Sequence, residues 1–107
     1  MLHELRIYES TPGKMPALNQ RFRDITSKFF EKHGIRVLAY WEAMIGPSNT
    51  LYYLVEWENL AEREQKWNAF STDPDWLAAR VRTDADGVMV ARLTNIILKP
   101  TDYSPLK

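Results

Sequence analysis

The chain has 107 residues, no cysteine, and 14 basic against 14 acidic side chains, so its formal net charge is zero. That balance leaves no electrostatic footprint for nucleic acid or anionic membranes. The missing cysteines exclude disulfides and thiolate metal sites and suit a reducing compartment.

At 45% apolar and 12% aromatic residues, a single domain over residues 1–107 can bury about two-thirds of the surface its unfolded chain exposes. Residues 2–9 alternate with period two, which predicts a strand with Leu5 and Ile7 on one face and Glu4, Arg6 and Tyr8 on the other. Glu4 and Arg6 also interrupt any apolar run, so neither a secretory leader nor a membrane-spanning helix is expected, and the location expected is cytoplasmic. Thr11-Pro12-Gly13 ends the strand, and Pro16 suits a first helical turn.

Met15, Leu18, Phe22, Ile25 and Phe29 recur three and four apart, predicting a helix over about residues 15–32 with one apolar stripe. His33-Gly34 closes it, with Gly34 free to take the left-handed terminal conformation and a histidine at the negative end of the dipole. A second strand is expected over residues 35–45. Alternation puts Val37, Ala39, Trp41 and Ala43 towards the helices and Arg36, Leu38, Tyr40, Glu42 and Met44 away from them. Gly46-Pro47-Ser48-Asn49 turns the chain into an antiparallel third strand over residues 50–57, with Leu51, Tyr53, Val55 and Trp57 opposite Tyr52, Leu54 and Glu56.

Asn59 and Glu62 have the spacing of a capping box for a second helix. Asp73-Pro74 reads as a fresh cap, so this helical region should break near Ser71. After an Asp86-Gly87 turn, the last strand is expected over residues 88–98, with Met89, Ala91 and Leu93 opposite Val90, Arg92 and Thr94. The polar tail from about residue 100 should leave the sheet. Strand, helix, strand, strand, helix, strand, with right-handed crossovers, is an α+β ferredoxin-like βαββαβ sandwich with a four-stranded antiparallel sheet.

The segments Tyr40-Trp41-Glu42, Ile45-Gly46-Pro47-Ser48-Asn49 and Tyr53-Leu54-Val55-Glu56-Trp57, followed by Leu60, Arg63 and Asp73-Pro74-Asp75-Trp76, resemble the NIPSNAP family. Glu4-Leu5-Arg6-Ile7-Tyr8 and the last strand extend the likeness over nearly the whole chain. The resemblance implies a dimeric α+β barrel, in which two ferredoxin-like units associate. It also implies a small organic molecule held either inside the barrel or between the sheet and its helices. It leaves three functions open: binding of a small hydrophobic or aromatic molecule, a cofactor-independent monooxygenase or isomerase-like enzyme, and a non-catalytic interaction module.

The face assigned away from the helices mixes tyrosines, aliphatic groups and charges of both signs, which packing against a second copy would cover. Its candidate ligand-binding residues are Arg6, Tyr8, Tyr40, Tyr52, Glu56 and Arg92. Glu42 is the candidate general base, since a nearby Glu56 could raise its pKa and Arg6 or Arg92 could stabilise an anion. Structural ion pairing with Arg6, Arg36 or Arg92 is the favoured account of both carboxylates. With two histidines far apart in sequence, no metal site and no cofactor are expected. The expected partners are a second copy of the chain and a small organic ligand, with neither nucleic acid nor membrane.

Overall fold

The computed structural model describes residues 1–107. Four strands, β1 (Leu2–Ser10), β2 (Arg36–Glu42), β3 (Thr50–Trp57) and β4 (Val90–Leu98), form one sheet in the order β2-β3-β1-β4, every neighbouring pair antiparallel. The helices are α1 (Met15–Arg21), α2 (Ser27–Lys32), α3 (Leu60–Ser71) and α4 (Pro74–Thr83). This is the ferredoxin-like βαββαβ arrangement anticipated from the element order. Strand β2 stops at Glu42, short of the expected residue 45, and β4 starts at Val90 rather than residue 88.

The caps behave as their residue types require. Asn59 Oδ1 accepts from the backbone N–H of Glu62 at 2.8 Å, and Glu62 Oε1 accepts from that of Glu58 at 3.1 Å. Asp73 Oδ1 accepts from the N–H of Asp75 at 2.9 Å and starts α4 at Pro74. Both devices satisfy N–H groups that a helix start leaves without intrahelical partners.

The first helical span departs from its expected regularity. A π-helical turn, Phe22–Thr26, separates α1 from α2. Its wider turn shifts the phase of the buried stripe, which runs Leu18, Phe22, Thr26 and Phe30 instead of continuing through Ile25 and Phe29. Phe30 then packs on Tyr53, Trp67 and Phe70, while Phe29 lies against Trp76.

Two strands present the face opposite to that expected. On β1, Glu4 and Arg6 lie under the helices at 0% and 5% exposure, and Leu5 and Ile7 face away. A carboxylate can occupy that position because five donor contacts meet it. Trp57 Nε1 (3.0 Å) and Arg63 Nε (2.8 Å) reach Oε1, and Arg6 Nη1 (2.8 Å), Arg63 Nη2 (3.1 Å) and Asn95 Nδ2 (3.1 Å) reach Oε2. The Arg6 guanidinium lies 4.2 Å from the centre of the Trp67 ring.

On β2 the cause is a bulge. The pairing with β3 shifts between Val37 and Ala39, so Val37 opposes Val55 but Tyr40, not Ala39, opposes Tyr53. Beyond it Tyr40 turns towards the helices and Trp41 turns away, reversing the strict alternation expected there.

The sheet face away from the helices therefore carries mainly apolar rows. One row is Ala39, Leu54, Leu5 and Ile96, and the next is Trp41, Tyr52, Ile7 and Thr94. Trp41 is 51% exposed and Ile96 42%. Edge strand β4 also leaves Leu93 and Ile97, apolar residues on the helix side, partly exposed. The helix layer covers the central strands β1 and β3 better than it covers this edge.

Candidate functional site

Incomplete cover over β1 and β4 leaves a cavity of about 380 Å³ between sheet and helices. Its floor includes Tyr8 and Leu93. Its helical walls bring in Phe22 and Phe30 from the first helical span, Trp67 and Phe70 from α3, and Trp76 from α4. Its volume falls in the range of small-molecule sites, and it is a partly open cleft whose mostly apolar lining is joined by several polar and charged groups.

One polar group is a phenol and guanidinium cluster on the floor. Arg6 Nε donates to the Tyr53 hydroxyl at 2.8 Å, Arg6 Nη2 donates to that of Tyr8 at 3.3 Å, and the two hydroxyls share a hydrogen bond of 2.8 Å. Burial, with the Tyr8 phenol beside it, pushes the Tyr53 hydroxyl well above the usual tyrosine range, although Arg6 opposes this. Burial disfavours the Arg6 charge, but Tyr53, Tyr8 and Glu4 outweigh it and hold the guanidinium protonated.

The second polar group is on the helical wall. Arg21, 7% exposed, donates through Nη1 to Asp84 Oδ1 at 2.8 Å and to Thr83 Oγ1 at 3.2 Å. Its Nε has no partner, and neither has Oγ1 of Thr26, a residue only 3% exposed. Both residues line the cavity, Arg21 ending α1 and Thr26 ending the π-helical turn.

The residues singled out from sequence are divided among three places. Arg6 and Tyr8 form the cavity floor, beneath the helices and not on the outer sheet face where alternation put them. Arg92 contributes to the cavity lining, and its exposed side chain lies 3.5 Å from Glu9. Tyr40 also lies on the helix side, in edge-on contact with Phe22 and tilted against Tyr53, and burial beside Tyr8 pushes its hydroxyl up to about 12. Tyr52 and Glu56 occupy the outer face.

The pairing of Glu42 with Glu56 does not occur. Glu42 is exposed and accepts from Asn19 Nδ2 at 2.7 Å on the helix side, whereas Glu56 meets His3 at 3.2 Å and Arg36 at 3.8 Å on the opposite face. The sheet separates the two carboxylates, so they form no contact pair. His33 meets Asp73 at 2.7 Å, beside the Lys32 ammonium at 2.8 Å, and those two partners hold the Asp73 carboxyl below the usual range.

Sequence reading missed Arg21, Thr26 and Glu4. For Thr26 a signal existed: the series Leu18, Phe22, Thr26, Phe30 is evenly spaced by four, a period between those of an α-helix and a π-helix. For Glu4, Trp57 and Arg63 no local pattern announces that a strand end, a neighbouring strand and a helix will meet.

Comparison with curated proteins finds no match. Among solved structures, a NIPSNAP family protein of unknown function from Agrobacterium tumefaciens is 26% identical, with a TM-score of 0.87 over 100% of this chain and 94% of that one. A second NIPSNAP family protein from that organism is 25% identical, with a TM-score of 0.88 over 99% and 98% of the two chains. A candidate antibiotic biosynthesis monooxygenase from Nitrosomonas europaea, at 14% identity and a TM-score of 0.64 over 94% and 98%, shares the fold alone. The NIPSNAP family model matches residues 3–105, and the chain belongs to the NIPSNAP family.

Proposed function

We propose that this protein binds a small apolar or aromatic molecule in the cavity beneath its helices and works as a homodimer. The partly open cavity of about 380 Å³ with aromatic walls carries the binding reading, since a concave, mostly apolar site with converging polar groups is what a small molecule needs. The outer sheet face supports the dimer. Its apolar rows centred on Leu5, Ile7, Tyr52 and Leu54 are contiguous over all four strands, and a second copy of the same face covers them. A cysteine-free chain without a helix long and apolar enough to cross a membrane fits the cytoplasm.

Native mass spectrometry of freshly purified protein tests both parts together. The expected species is twice the chain mass, carrying or accepting a small molecule. A bare monomer that takes up no member of a library of aromatic and branched apolar compounds would overturn the reading.

A catalytic second reading, monooxygenase or isomerase-like, draws on the Arg6, Tyr8 and Tyr53 cluster. A protonated phenol held by a guanidinium can donate to an oxygen that gains negative charge in a bound substrate. Tyr8→Phe should then abolish turnover of a compound that still binds. Unchanged turnover would leave binding as the better account.

A further inference from the structure

The hydrogens of the cluster on the cavity floor can be counted. Arg6 donates to both phenol oxygens, through Nε to Tyr53 at 2.8 Å and through Nη2 to Tyr8 at 3.3 Å. The two phenol oxygens lie 2.8 Å apart. A hydroxyl carries one hydrogen and two acceptor sites, so only one of the pair can donate across this contact.

Burial decides which one does. Tyr53 is 0% exposed, and its hydroxyl bonds only Arg6 and Tyr8. Were Tyr8 the donor, the Tyr53 hydrogen would be stranded in the interior, at a cost larger than an ordinary hydrogen bond gains. Tyr53 therefore donates to Tyr8. The Tyr8 oxygen then accepts twice, from Arg6 and from Tyr53, and its own hydrogen has no acceptor within the protein. Tyr8 keeps accessible surface and lines the cavity, so this hydrogen turns to the cleft. The chain from guanidinium through Tyr53 strengthens Tyr8 as a donor, since each bond polarises the next.

We propose that the cavity takes an apolar carbonyl compound, its carbonyl oxygen accepting from the Tyr8 hydroxyl and its body lying against Phe22, Phe30 and Trp67. The proposal rests on the reading of the cavity as a ligand site and adds the ligand's chemical class. A carbonyl oxygen replaces the water that otherwise meets the phenol, whereas an alkyl group of the same shape displaces that water and leaves the hydrogen unmet. It also accepts without bringing a hydrogen of its own, and both phenol oxygens on this floor are already occupied.

Isothermal titration with 4-phenylbutan-2-one and (3-methylbutyl)benzene, in which a methyl group stands for the carbonyl oxygen, tests this on the parent and on Tyr8→Phe. The variant keeps the ring and loses only the hydroxyl, and a thermal melt checks that it is folded. Ketone affinity should fall about fivefold in Tyr8→Phe, the discrimination of one hydrogen bond, while hydrocarbon affinity should not fall. The carbonyl stretch of the bound ketone, labelled with carbon-13, should lie at lower frequency in the parent than in the variant. Should Tyr8→Phe not fold, the infrared spectrum of the parent complex decides alone, because a stretch no lower than that of the ketone in hexane would mean no hydrogen bond and overturn the assignment.

A ketone affinity unchanged by Tyr8→Phe, or a fall shared equally by the hydrocarbon, would overturn the carbonyl assignment while leaving the cavity as a ligand site. Failure of both compounds to bind the parent up to their solubility limits would remove the cavity reading as well.

Discussion

Arg63 grips Glu4 with two parallel hydrogen bonds, Nε to Oε1 at 2.8 Å and Nη2 to Oε2 at 3.1 Å, and so ties α3 to the first strand. Burial alone would raise the Glu4 carboxyl. Hydrogen bonds from Arg63, Asn95 and Trp57, with the charge of Arg6, instead bring it to about 2 from an ordinary value of 4.5. A depressed pKa means that the folded state favours the ionised form. The resulting stability, roughly 3 kcal/mol, is fully present above pH 4.5 and is lost as the pH falls towards 2. Urea unfolding of Glu4→Gln against the parent over this range should show a gap that closes with acid. A gap independent of pH would show that the carboxylate is not what stabilises the contact.

Tyr53 is fully buried, and its hydroxyl bonds both Arg6 Nε and Tyr8 at 2.8 Å. Tyr53→Phe removes one oxygen and leaves the Arg6 Nε without this acceptor. The expected loss is about 1–3 kcal/mol in equilibrium unfolding. A neutral result would mean that water or Tyr8 takes over the contact.

Much of the fold is legible in the sequence because its punctuation is local. Gly34, the Gly46 to Asn49 turn, Asn59 with Glu62, and Asp73-Pro74 each act within a few residues of themselves. Face assignment fails where a local rule meets a distant partner. Alternation puts Glu4 and Arg6 on the face away from the helices, yet Arg63, Trp57 and Asn95 meet Glu4 beneath them. Tyr40 and Glu42 read correctly only if the bulge before Ala39 is known, and one extra residue reverses every later side chain. The cavity stays hidden for a related reason: it depends on where the helix layer stops, not on any motif.

The reassigned faces change what a mutation should do to assembly. Ile7 sits near the middle of the outer apolar face, between Tyr52 and Thr94. Ile7→Glu would set two unpaired charges against each other at a self-matched interface, an arrangement costing several kcal/mol. Sedimentation equilibrium should shift from twice the chain mass to the single chain, with the fold retained by circular dichroism. A dimer that survives the change would have to use another surface.

Gly34 closes the first helical span at φ +69°, in the left-handed region, and its carbonyl accepts from Lys66 Nζ at 3.1 Å. A Cβ there would lie 3.4 Å from Nζ and 3.5 Å from Cε of Lys66. That lysine end is flexible and can move, so crowding is the smaller cost. The backbone conformation is the larger one, about 1–2 kcal/mol for an ordinary L-residue. Asparagine tolerates the left-handed region better than alanine does. Stability should therefore rank Gly34 first, Gly34→Asn second and Gly34→Ala last. Urea unfolding at one fixed protein concentration, which holds any association constant, measures the order. If Gly34→Ala equals or exceeds Gly34→Asn, contact with Lys66 rather than backbone strain governs this helix end.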